Sequence, residues 1–108
     1  MCIRDRPVVV LTNRRAYSAT NDFVNSMNQF PNVTLVGDKT GGGSGLPFSS
    51  EIPCGWSIRF SASPMLDPEM NHLEFGIDPD VKVDMTSEDI AQGKDTMIET
   101  ACRVLKGQ

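Results

Sequence analysis

Apolar residues fall in blocks whose spacing changes along the chain, and each change marks an element. "PVVVLT", residues 7–12, is a continuous β-branched and apolar run, the pattern of a strand covered on both faces in a parallel sheet. From Ala19 onward, Phe23, Val24, Met27 and Phe30 recur three and four positions apart until Pro31 and Asn32. That spacing predicts one amphipathic helix with its stripe toward the core. "VTLVG", residues 33–37, supplies a second strand, so the order strand, helix, strand predicts a right-handed βαβ unit.

The pattern then loosens. Residues 37–47, "GDKTGGGSGLP", are too rich in glycine to pack a core and read as a loop that allows close backbone approach. Residues 49–63 alternate Ile52, Ile58 and Phe60 with polar neighbours around Pro53–Gly55, which predicts an antiparallel hairpin added to the sheet. "GIDPDVKV", residues 76–83, is a turn into a short strand, with Asp78 and Asp80 expected to cap backbone amides. "TSEDI" from Thr86 opens a brief helix with a Thr-x-x-Asp cap. Residues 94–107 predict a last helix, with Asp95 as cap, Gly107 as stop and Met97, Ile98, Ala101, Cys102, Val104 and Leu105 on the core side.

Strands alternating with helices give one α/β unit, and 108 residues allow one domain at most. Composition adds exclusions. No apolar stretch approaches the ~20 residues of a membrane helix, so no membrane span is expected. A net charge of −4 with scattered basic residues argues against nucleic acid. Three cysteines without C-x-x-C spacing point neither to zinc nor to a disulfide framework. The glycine loop lacks the Gly-Lys-Ser/Thr ending of a phosphate loop, and no cofactor is expected. "MCIRDR", residues 1–6, carries no periodicity or targeting character and resembles a translated sequencing-adapter scar. On that reading authentic sequence starts at Pro7, and residues 7–108 are a C-terminal portion of a longer domain.

The chemistry concentrates at Ser18, where the strand pattern gives way to the helix pattern. A strand, a sharp turn and a helix opening on serine presents a nucleophile beside the helix's unpaired N–H groups; the same position also suits an ordinary N-cap. Gly41, Gly42 and Gly43 would let an extended peptide run close to backbone donors beside Ser18, and Tyr17 and Trp56 are candidates to line the cleft or to pack the core. His72, the only histidine, is a candidate base. On an extended segment it would share a face with Glu74.

Three blocks in order, "PVVVLTNRRAYSATNDFV", "TLVGDKTGGGSG" and "LEFGIDPDVKV", resemble the C-terminal processing, or tail-specific, serine peptidases and their relatives around the tricorn core and the interphotoreceptor retinoid-binding protein. The resemblance implies a crotonase/ClpP-like peptidase core, with a mostly parallel sheet, flanking helices and a small antiparallel hairpin. It also implies a polypeptide substrate in extended conformation and a periplasmic or cell-envelope location. It puts Ser18 in the nucleophile's place, with the Ala19 N–H as an oxyanion donor. The processing peptidases carry a catalytic lysine late in G-E-K-T-x-G-K-G; here Gly43 stands in its place and Lys39 matches the earlier, non-catalytic lysine. The tricorn-like branch draws a histidine from upstream of the serine, with supporting residues that include a glutamate, for which Glu74 is the candidate. The reading is therefore a serine peptidase fragment lacking its upstream base. The alternatives are a non-catalytic peptide or lipid-ligand binding module on the same fold, and a crotonase-type acyl-CoA enzyme, against which the placement of Ser18 speaks.

Overall fold

A computed structural model describes residues 6–107. The junction expected after residue 6 lies, Arg6 apart, outside the described residues. Among the described residues, five strands and three helices form in the order β1 (Val8–Thr12), α1 (Ala19–Asn28), β2 (Val33–Gly37), β3 (Pro47–Ile52), β4 (Trp56–Ser61), β5 (Val81–Lys82), α2 (Ser87–Ala91) and α3 (Thr96–Leu105). One-turn 3-10 helices occupy Pro53–Gly55 and Leu73–Phe75.

β1 pairs in parallel with β2, Val8 opposite Val33 through Thr12 opposite Gly37, and α1 makes the crossover between them. β5 adds in parallel on the far side of β2, giving the order β1-β2-β5. Asp80 ties that register by accepting a hydrogen bond from the Leu35 amide at 2.8 Å, a bond to the neighbouring strand rather than the cap within its own turn that the sequence suggested. The core is small: Val24, Val33 and Leu35, with Val10, Met27 and Ile77 packed against them. α1 and α3 both lie on the β1–β2 pair. Thr86 caps α2 through the Asp89 amide, and Asp95 caps α3 through the amides of Met97 and Ile98. Both caps match the sequence reading.

Burial departs from that reading in four places. β1 is not covered on both faces: it is an edge strand, with Val8 and Leu11 exposed, and β2 is the sealed one. On α1, Val24 is buried, but Phe23 and, past the helix end, Phe30 face solvent, and Asn21 takes an interior position. On α3, Ala101 is buried and Cys102 is exposed, so that cysteine does not sit in the core. The hairpin forms as expected, Phe48 opposite Phe60 and Ile52 opposite Trp56, yet it is a separate two-stranded sheet with no ladder to the parallel one. It extends the molecule to a radius of gyration of 17.5 Å, against about 13 Å for a compact chain of this length.

Candidate active site

The site is built where β1 ends. The chain turns through Asn13, whose side chain accepts from the Arg15 amide at 2.8 Å and whose carbonyl accepts from Ala16 at 3.0 Å. It then runs beside the glycine loop. Gly41 donates to the Ala16 carbonyl and Ser18 donates to the Gly42 carbonyl, both at 2.8 Å. Immediately afterwards α1 begins, the Ser18 carbonyl taking the Asp22 amide at 3.1 Å.

Ser18 itself sits at φ 58°, ψ −119°, and its side chain makes no capping hydrogen bond. A non-glycine residue held there costs on the order of 1–3 kcal/mol. An N-cap serine would have extended backbone and would bond the first-turn amides; Ser18 has neither property. The amide of Ala19 has no acceptor among the described residues, so the helix start offers a free donor beside the hydroxyl.

Ser18 opens into a cleft of about 270 Å³, with Tyr17 and Gly43 on its own side and Pro47, Arg59, Phe60 and Ser61 of the hairpin across from it. Two glycines bring these walls together. At Gly42, φ is 78° and a Cβ would overlap the Glu74 carbonyl oxygen; at Gly43, also at φ 78°, it would overlap the Tyr17 ring. The Gly43 amide donates to that Glu74 carbonyl at 3.0 Å. Loop and turn are thus locked together, and the amides of Gly41 and Gly43 are engaged within the chain. Gly43 shapes the wall, Gly41 lies outside the cleft, and neither offers a substrate a free N–H.

His72 and Glu74 part company. Residues 72–74 are not an extended run: His72 precedes the one-turn 3-10 helix Leu73–Phe75, so alternation does not put the two side chains on one face. His72 is exposed, lies edge-on to Phe75 with ring centroids 6.3 Å apart, and does not line the cleft. Glu74 reaches the cleft's margin, where its carboxylate accepts a hydrogen bond from the Ser61 hydroxyl. Tyr17 lines the cleft, whereas Trp56 stands exposed at the hairpin turn.

The residue that holds these pieces in place was not legible beforehand. Asn21, fully buried one turn after Ser18, donates to Ser44 Oγ at 2.8 Å and to the Leu73 carbonyl at 2.9 Å, and accepts from Thr40 Oγ1 at 2.6 Å. Thr40 Oγ1 in turn accepts the Ile77 amide at 2.7 Å. One side chain therefore ties α1 to the glycine loop and to the 3-10 turn, with its hydrogen-bonding groups satisfied. Its only sequence signal is a polar residue three positions after Ser18.

Farther out, Arg14 Nε lies 3.0 Å from Asp38 Oδ2. The Arg14 hydrogen bond, and then the Lys39 amide, hold the Asp38 carboxyl below the usual aspartate range.

The model of peptidase family S41 matches residues 3–83. The chain belongs to peptidase family S41. A candidate peptidase from Parabacteroides merdae ATCC 43184 is 65% identical with a TM-score of 0.91, over 94% of this chain and 32% of that one. The chain thus spans about a third of that relative's length. The tricorn protease superposes with a TM-score of 0.65 at 21% identity, over 94% of this chain and 10% of its own. The photosystem II D1 C-terminal processing protease gives 0.59 at 24%, over 92% and 24%. At those identities the likeness is one of fold. No curated protein matches the chain.

Proposed function

We propose that this S41 chain carries the nucleophile of a serine peptidase, cleaving polypeptides through an acyl-enzyme on Ser18. The observation that carries the reading is the backbone of Ser18: strained, uncapped and opening into a cleft at the head of α1. Strain of this kind persists where function holds it. In the proposed step the Ser18 oxygen adds to the scissile carbonyl, and the oxyanion takes the Ala19 N–H. The base takes the Ser18 proton during attack and returns it to the leaving nitrogen as the tetrahedral adduct collapses, so the amine departs and leaves the ester on Ser18, which water then hydrolyses.

The hydroxyl needs a base. Gly43 carries no side chain, and His72 lies outside the cleft. The base is therefore assigned to polypeptide beyond this chain, a placement supported by the 32% coverage of the Parabacteroides relative. Glu74, bonded to Ser61 at the cleft's edge, is proposed as the carboxylate that orients that base. The test is peptide cleavage by the full-length protein. Ser18→Ala should abolish it, and unchanged turnover in that variant would overturn the assignment.

The resemblance to the processing peptidases favours a second reading, peptide binding without catalysis, because it sets Gly43 against their lysine. Tight peptide binding by a full-length protein that forms no acyl-enzyme would select it.

A further inference from the structure

The cleft holds one ionised side chain that the proposed chemistry does not use. Arg59 lies in the middle of β4, opposite Ser49, and lines the cleft together with Ser18. Among the described residues its guanidinium has no hydrogen bond or ion pair; the ion pair that does form joins Arg14 to Asp38. Glu74, the carboxylate at the cleft's margin, bonds Ser61 and makes no pair with Arg59.

Strand geometry gives the position meaning. Arg59 and Ser61 are two residues apart on β4 and so share one face, about 7 Å apart along the strand. That spacing equals two residues of an extended peptide. We infer that Arg59 is a subsite for a carboxylate of the substrate, binding it about two residues along the peptide from the Ser61 end of the cleft. A guanidinium suits this task because its planar fork matches a carboxylate with two parallel hydrogen bonds. Because Arg59 is exposed, the gain is modest and falls with salt. Two sources present the same group, an acidic side chain and a free C-terminus. The inference rests on the cleft being the peptide site of the reading above.

Its test uses binding, which needs no catalysis. The full-length protein carrying Ser18→Ala is titrated with one peptide in three forms: an internal Glu with an amidated C-terminus, Gln in its place with a free C-terminus, and Gln with an amidated C-terminus. One of the two carboxylate peptides should bind about threefold to tenfold more tightly than the neutral one, and which one identifies the source. That advantage should vanish in Arg59→Gln, be reduced but not abolished in Arg59→Lys, which keeps the charge and loses the fork, and shrink at high salt. Equal affinity for all three peptides, no binding of any, or an advantage that survives Arg59→Gln would overturn the inference. Fluorophosphonate labelling of the protein with Ser18 intact separates the two claims. A labelled protein without the preference loses only the subsite; an unlabelled one with it loses only the nucleophile.

Discussion

The amide of Ser18 donates to the carbonyl of Gly42 at 2.8 Å, and this bond joins the start of α1 to the glycine loop. It holds a serine at φ 58° without help from its own side chain. Strain and cap therefore predict opposite results. Were Ser18 a cap, Ser18→Ala would cost about 1 kcal/mol. Here Ala removes no capping bond, so its effect on stability should stay within about 0.5 kcal/mol, and Ser18→Gly should stabilise by about 1 kcal/mol. Chemical denaturation of the three proteins measures both values.

Asn21 is the tie beneath that turn. Replacing it with Leu removes three hydrogen bonds: Ser44 Oγ loses its donor and the Thr40 O–H its acceptor in the interior, while Thr40 Oγ1 keeps the Ile77 amide and the Leu73 carbonyl keeps the Gly76 amide. The expected cost is about 2–4 kcal/mol, read as a shift in the denaturation midpoint. A loss below 0.5 kcal/mol would mean the network does not hold the loops.

Gly42 and Gly93 offer a matched comparison, since both have positive φ, 78° and 73°. A methyl at Gly93 meets nothing within 4 Å, whereas at Gly42 it overlaps the Glu74 carbonyl. Gly93→Ala should cost about 1 kcal/mol through backbone conformation alone. Gly42→Ala should cost at least about twice as much, because loop and turn must separate. Equal losses would contradict the close approach.

Acid should loosen the turn before Ser18. The Asp38 carboxyl is lowered by Arg14 first and by the Lys39 amide second. A carboxyl with a lowered native value adds stability above its unfolded value, near 3.8, and that contribution is lost as pH falls through the native value. Asp67, through the Asn71 amide, and Asp89, through the Thr96 hydroxyl, act in the same direction. Arg14→Gln should raise the Asp38 titration midpoint, followed by NMR, and leave those of Asp67 and Asp89 in place.

Much of this frame was legible in the sequence because it is local. The run at 7–12, the helix start after Ser18, and the caps at Thr86 and Asp95 depend on residues within a few positions of one another. Burial was not, because it depends on what lies across from a side chain. Leu11, Phe23 and Cys102 are apolar or core-prone by type and lie open, whereas Asn21 is polar and lies sealed. Glu74 was placed by alternation on a segment that coils into a 3-10 turn. Its link to Ser61 comes from a hairpin whose docking no local pattern encodes.

Covalent labelling of the full-length protein with a fluorophosphonate, followed by mass mapping, tests the nucleophile most directly. A single adduct on the peptide that contains Ser18, absent from Ser18→Ala, is the predicted result. No adduct, or one on another serine with Ser18 untouched, would contradict it.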